Sequence, residues 1–72
     1  MKKVGDIVMF KPTGKYGKWF GGKLGTIERI SYSKNGKLYF RVRWLEPVKY
    51  YDEYTPWSEF QADRFEIWDG GR

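Results

Sequence analysis

An Asn-Gly pair lies between two runs of β-forming residues and determines the local topology of the chain. Asn35-Gly36 separates residues 23–32 from residues 38–45. Asn and Gly tolerate the positive φ angles that a type I′ turn needs at both central positions, and such turns join adjacent antiparallel strands. The sequence therefore predicts a β-hairpin with a type I′ turn.

The second of these runs alternates between apolar and polar residues. Its apolar positions are Leu38, Phe40, Val42 and Trp44. Its polar positions are Tyr39, Arg41 and Arg43. Because successive side chains of a strand point to opposite faces of the sheet, the first set should face a core and the second set should face solvent.

The amino-terminal part of the chain also favours a strand. Residues 4–10 alternate and place Val8 and Phe10 on one side. Residues 11–22 are rich in Gly, Lys and aromatic residues, which predicts a loop. No segment of the chain repeats apolar residues at helical spacing over ten residues, so no long helix is expected.

The carboxyl-terminal part predicts a long loop, a helical turn and a last strand. Pro47 should end the third strand, because proline lacks the N–H that a strand donates. Residues 48–57 should then form a tyrosine-rich loop. Ser58 should cap a single helical turn before a short strand near residues 64–68.

A chain of 72 residues is long enough for one domain only. Five short strands without covering helices protect their edges by curling into a barrel. The predicted fold is therefore all-β: a single small SH3-like five-stranded barrel with a short helical turn before the last strand. The domain should span residues 1–69, and residues 70–72 should form a frayed tail.

Three segments resemble known families. The KOW pattern of ribosomal proteins and transcription elongation factors is similar to residues 5–8 (GDIV) followed by residues 22–27 (GKLGTI). Residues 59–67 resemble the closing strand of the SH3-like accessory subunits of photosystem I and of ferredoxin-dependent complexes. Residues 41–44 resemble part of the small barrel proteins of tailed phages. These families share a fold and differ in function, so the resemblance implies architecture alone.

The residue inventory argues against catalysis. The chain has no cysteine and no histidine, so it lacks a thiolate nucleophile, sulfur ligands for zinc and the usual general base. Residues 17–23 match the spacing of a phosphate-binding loop, but Leu24 stands where that loop needs Ser or Thr to reach magnesium. No enzyme activity, cofactor or metal is therefore expected.

The sequence predicts neither a membrane segment nor an export signal. Its longest apolar run is residues 7–10, far short of the roughly 20 residues that span a bilayer. Gly5 and Asp6 interrupt the stretch that would be apolar in a signal peptide. A cytoplasmic monomer is the default expectation.

The net charge of +5 is unevenly distributed along the chain. Residues 1–43 contain eleven basic and two acidic residues, whereas residues 44–72 contain three basic and seven acidic ones. If the two halves stay apart in the fold, the basic side would steer a polyanion. If their strands interleave, the charges would average out. The sequence leaves both outcomes open.

Nucleic acid is the first predicted partner. Fifteen aromatic residues are more than a core of this size can bury, so some must be exposed. Cations neutralise phosphates and exposed rings stack on bases, so the two together favour nucleic-acid binding. The residues predicted to do this are Lys15, Lys18, Trp19, Lys23, Tyr39, Arg41 and Arg43. DNA and RNA are both compatible, and no base-specific readout is predicted.

A protein-docking adaptor subunit of a larger complex is the alternative function. Tyr and Trp are favoured at protein interfaces, because they bury much area at little entropic cost. The tyrosine-rich loop, next to the acidic carboxyl-terminal half, supplies Tyr50, Tyr51, Tyr54 and Trp57. The same loop is also compatible with a lid over one end of the barrel.

Overall fold

A computed structural model describes residues 2–68 of the protein, which form one antiparallel sheet. The strands are β1 (Ile7–Phe10), β2 (Leu24–Tyr32), β3 (Leu38–Tyr50), β4 (Glu53–Gln61) and β5 (Phe65–Ile67), in the order β4-β3-β2-β1-β5. One turn of 3₁₀-helix, Ala62–Arg64, precedes β5. The predicted all-β fold with a helical turn before the last strand is confirmed. The predicted fraying of residues 70–72 concerns a segment outside the described residues.

The sheet curls until its two sides meet. β4 lies at one edge of the sheet, yet its Phe60 ring lies 4.8 Å from the Phe10 ring of β1 and 6.3 Å from the Phe65 ring of β5, centroid to centroid. Aromatic rings at such distances attract each other. The curled sheet forms a small SH3-like barrel, and its buried side chains are Val8, Phe10, Phe20, Ile27, Phe40, Val42, Trp44, Val48 and Phe65.

The predicted hairpin joins β2 to β3, but its turn type differs. Gly36 has a φ of +82°, whereas Asn35 has no positive φ. The Ser33 amide donates to the Lys37 carbonyl at 2.8 Å, so the loop has three residues instead of two. The Ser33 hydroxyl also accepts a hydrogen bond from the Lys37 amide at 3.1 Å, which stabilises the longer loop. The predicted type I′ turn is therefore wrong.

The loop predicted over residues 48–57 is also wrong, because most of these residues belong to a second hairpin. β3 continues through Pro47 to Tyr50, and β4 begins at Glu53. Only Tyr51-Asp52 forms the turn between them.

A register shift explains how the two strands tolerate proline. Between Arg43 and Val48, β3 has four residues, whereas the matching stretch of β4 has only Pro56. Pro47 also lies in this irregular stretch, where regular ladder pairing is already interrupted. Proline therefore bends the hairpin without ending it.

The helical turn before β5 lies three residues later than predicted, because its cap is Gln61 and not Ser58. Ser58 belongs to β4, and its hydroxyl accepts a hydrogen bond from the indole N–H of Trp44 at 3.1 Å. The segment predicted as a loop over residues 11–22 contains one turn of α-helix, α1 (Gly17–Phe20). α1 delivers Phe20 to the core, where its ring stacks on Trp44 with the centroids 5.3 Å apart.

Candidate nucleic-acid interface

The polar side of β3 lies in the middle of a three-stranded surface, which we call the outer face. Directly opposed residues of antiparallel strands point to the same face of the sheet. Read from β2 through β3 to β4, the rows of the outer face are Ser31–Tyr39–Gln61, Arg29–Arg41–Glu59 and Thr26–Arg43–Trp57. Two adjacent rows thus contain three arginines and a tryptophan.

A β-bulge adds a carboxylate to the outer face. The register of β2 shifts between Ile27 and Arg29, so Glu28 is an extra residue without a paired residue on β3. Both Glu28 and Arg29 are exposed. The Nε of Arg43 lies 2.6 Å from the Oε2 of Glu28. An exposed ion pair contributes about 0–1 kcal/mol. This pair therefore orients Arg43 more than it stabilises the fold.

Arg41 is held over the ring of Trp57. Its guanidinium carbon lies 4.2 Å from the ring centroid, which is within cation–π range. Its Nε is buried and has no hydrogen-bond partner among residues 2–68. Its register neighbours are Arg29 on β2 and Glu59 on β4. Facing like charges and an unpaired buried donor disfavour folding, and such local conflicts are expected at binding sites.

No family model, curated protein or solved structure matches this chain. The three resemblances noted in the sequence therefore stay predictions, and the function has to be inferred from the chemistry of the surface. Within residues 2–68, no helix is long and apolar enough to cross a membrane. The same residues include no group of three or more acidic side chains placed to hold a metal ion.

The basic loop predicted to join the β3 residues lies elsewhere. α1 packs against the inner side of the sheet, because its Phe20 is part of the core. The Nζ of Lys18 lies 4.3 Å from the Trp19 ring centroid, and the Nζ of Lys15 lies 5.7 Å from the Tyr16 centroid. Both lysines are exposed: Lys18 lies in α1, and Lys15 lies two residues before it, where the neighbouring Tyr16 lines a groove that reaches Tyr39 and Glu59.

Lys23 is separate from both groups. It is exposed just before β2 and lines a groove with Glu46 and Pro47, at the irregular stretch of β3. The structure therefore brings together Tyr39, Arg41 and Arg43 from the predicted nucleic-acid set, and within residues 2–68 it shows no contact between these three side chains and Lys15, Lys18 or Lys23.

Four rings around α1 form what we call the aromatic cluster: Tyr16, Trp19, Tyr50 and Tyr51. The Trp19 centroid lies 4.8 Å from that of Tyr50 and 5.0 Å from that of Tyr51, so the tip of the β3–β4 hairpin covers α1. Burial raises the pKa of Tyr50, and the neighbouring Tyr51 and Tyr16 raise this pKa further.

The predicted docking residues are divided between two places. Tyr50 and Tyr51 belong to the aromatic cluster, as a lid would require. Tyr54 and Trp57 line a cleft beside β4 that Tyr50 also borders. The register of β4 also places Trp57 directly opposite Arg43, so this tryptophan belongs to the outer face.

Sequence reasoning missed three charged residues of the outer face: Glu28, Arg29 and Glu59. Glu28 and Arg29 lie in a segment that favours a strand, whereas Glu59 was expected in a helical turn. The neighbours of all three depend on pairing between distant parts of the chain. The bulge at Glu28 has no signal in the sequence, since no Gly or Pro marks it. A signal was present for Glu59, because the alternation of β4 around Phe60 places it on the polar side.

Lys2 connects the start of the chain to β5 and has a structural role. Its Nζ donates a hydrogen bond to the Phe65 carbonyl at 2.8 Å. Burial lowers the pKa of Lys2, nearby Lys11 lowers it further, and Glu66 and Asp63 partly offset these effects. This ammonium group is engaged within the fold and is not part of the outer face.

Proposed function

We propose that the protein is a small, non-catalytic nucleic-acid-binding module that uses its outer face and acts inside the cell as a monomer. The observation that carries the proposal is the grouping of Arg29, Arg41 and Arg43 on one surface, with Trp57 stacked under Arg41. Arginines bind phosphate oxygens through charge-assisted, often bidentate hydrogen bonds. DNA and RNA both offer these phosphates.

The pairing of Arg29 with Arg41 supports an anionic ligand. Like charges directly opposed across two strands repel each other in the free protein. A phosphate between the two guanidinium groups would replace this repulsion with two attractions. Binding would therefore relieve an unfavourable contact and add new ones.

The salt dependence of binding tests the proposal. Fluorescence anisotropy with labelled DNA and RNA should show that log affinity falls linearly with log salt concentration, with a slope of about 0.7–0.9 per phosphate contact. Replacing two arginines, Arg41→Gln with Arg43→Gln, should reduce this slope by about 1.5 and weaken binding to all sequences alike.

A matched control removes the same charge elsewhere. Lys34→Gln with Lys37→Gln, in the loop between β2 and β3, should change the slope by much less. Circular dichroism should show that both double variants are folded. Absence of binding to any nucleic acid at low salt would refute the proposal, and an equal effect of the two double variants would place binding on another surface.

A protein-docking role is the second candidate function, and one observation favours it. Tyr51 is 65% exposed although it packs on Trp19, and its φ of +57° lies in the left-handed region. That conformation costs a non-glycine residue roughly 1–2 kcal/mol. Tyr51→Gly removes this cost together with the ring contacts to Trp19 and Tyr50, so it should change the free energy of unfolding by less than about 2 kcal/mol, and it should abolish co-purification with a protein partner. Unchanged co-purification would rule out this role for the aromatic cluster.

A further inference from the structure

A cleft of about 450 Å³ lies beside β4 and is lined in part by Tyr54, Pro56 and Trp57. The side chains of Tyr54 and Trp57 are large and apolar, yet they are 68% and 42% exposed. Among residues 2–68, neither ring packs on another aromatic ring. The Arg41 guanidinium covers one face of the Trp57 ring, so the cleft presents the Tyr54 ring and the remaining face of Trp57 for stacking.

Cations reach this cleft only through Trp57, and the charged residue that lines the cleft itself is Glu53. Arg41 lies over the Trp57 ring. On the neighbouring strand β4, Arg41 is paired with Glu59, which comes two residues after Trp57. Tyr54 and Pro56 precede Trp57 and lie on its other side. Arg43 is directly opposite Trp57 on β3. Trp57 thus stands between a pair of arginines and the open cleft.

This arrangement suits an unpaired base better than a duplex. The faces of bases in a duplex are already stacked on one another, so an exposed protein ring gains stacking energy only from a base that is free of the stack. We infer that the cleft beside Trp57 is a stacking site for an unpaired nucleobase, and that the ligand of the outer face is single-stranded. This inference depends on the proposed function.

The carboxylates of the outer face support the same ligand. Glu28 and Glu59 lie beside Arg43 and Arg41. Duplex DNA carries one charge per about 1.7 Å of its axis, so a carboxylate beneath it is repelled. A single strand presents base edges as well as phosphates, and a carboxylate accepts hydrogen bonds from base amino groups. Acidic residues between the arginines therefore disfavour the duplex more than the single strand.

The experiment compares single strands with a duplex on the full-length chain. Fluorescein-labelled ten-nucleotide strands of DNA and RNA, and a ten-base-pair DNA duplex, are titrated at one salt concentration. The single strands should bind more tightly. Trp57→Ala and Tyr54→Ala should each weaken single-strand binding by about 5- to 150-fold, the range measured for loss of one stacking ring, and should leave duplex binding nearly unchanged.

Two further variants make the result interpretable. Trp57→Phe keeps a ring and should retain most of the affinity for the single strand. Tyr32→Ala removes a tyrosine that is 73% exposed at the end of β2 and should have no effect on it. If Trp57→Ala fails to fold by circular dichroism, Tyr54→Ala decides the matter.

The outcomes separate the two claims. Duplex binding as tight as single-strand binding would overturn the stacking site while the proposed function stands. A second result would also overturn the stacking site alone: Tyr54→Ala and Trp57→Ala keep full affinity for the single strand, while the double variant Arg41→Gln with Arg43→Gln still binds more weakly. No binding to either form would refute the nucleic-acid function and the stacking site together, and would leave the rings as a protein contact.

Discussion

A methyl group added at Gly25 would test how tightly β2 packs on β3. Gly25 is buried in β2 and pairs with Trp44 of β3. A Cβ at this position would lie 2.2 Å from the Cγ1 of Val42, 2.9 Å from the carbonyl oxygen of Arg43 and 3.2 Å from the Cε3 of Trp44. Carbon atoms in favourable contact are about 3.5–4.0 Å apart, so Gly25→Ala overlaps Val42 by more than 1 Å.

The overlap cannot be relieved by rotating one side chain. Val42 has no exposed surface, and the Arg43 carbonyl belongs to the backbone of β3. Overpacking a core costs about 1–3 kcal/mol, and a clash that includes backbone belongs at the upper end of that range. The alanine also lowers the conformational entropy of the unfolded chain, which stabilises the folded state by about 0.4–1 kcal/mol. Gly25→Ala should therefore lower the free energy of unfolding by about 2–3 kcal/mol.

Chemical and thermal denaturation would measure this loss. In a domain of this size, about 2–3 kcal/mol corresponds to a fall in Tm of about 10–20 °C. Gly36→Ala is the control, because a Cβ there meets nothing within 4 Å and costs only the strain of a φ of +82°, about 1 kcal/mol. Val42→Ala should offset part of the Gly25→Ala loss, since it removes the overlapping methyl. A Gly25→Ala protein within 0.5 kcal/mol of the wild type, or strictly additive effects of the two substitutions, would refute the packing described here.

Three other measurements follow from single contacts. Ser58→Ala removes the acceptor of the Trp44 indole N–H and should cost about 1–3 kcal/mol in urea denaturation; a change below 0.3 kcal/mol would contradict that hydrogen bond. Glu28→Gln should change stability by less than about 1 kcal/mol, yet it should raise the affinity for a DNA duplex more than the affinity for a single strand, because it removes a carboxylate that repels the duplex. An equal gain for both forms would contradict the discrimination assigned to Glu28. The raised pKa of Tyr50 means that the folded state keeps this proton longer, so stability should fall as the pH rises above 10.0, the ordinary tyrosine pKa. Tyr50→Phe should remove a component that titrates above pH 10.0 from an ultraviolet absorbance titration, and an unchanged curve would contradict the raised pKa.

The parts of the fold that sequence reasoning predicted correctly depend on local rules. The burial of Phe40, Val42 and Trp44 follows from alternation along a single strand. The hairpin between β2 and β3 follows from the tolerance of Gly36 for a positive φ. The hairpin between β3 and β4 does not follow from such rules, because each proline taken alone indicates the end of a strand.

The outer face illustrates the same limit. Alternation places Tyr39, Arg41 and Arg43 on one side of β3, so the middle strand of the surface was predictable. The rest of the surface comes from the strands on each side, and their register depends on the bulge at Glu28 and on the irregular stretch opposite Pro56. The position of each neighbouring charge depends on these two irregularities, and neither is visible from local sequence alone.

The outer face shows one place where the two halves of the chain meet, because Glu59 of the acidic half pairs with Arg41 of the basic half, to which Glu28 also belongs. Neighbouring strands are about 4.8 Å apart, which is well within the Debye length of about 8 Å at physiological salt. Glu28 and Glu59 therefore cancel much of the field of the three arginines beyond a short distance, and the charges partly average out. Long-range steering of a polyanion is weak from such a surface. Binding to the outer face must then depend on contacts made after the ligand arrives, which is why the exposed ring of Trp57 matters as much as the arginines around it.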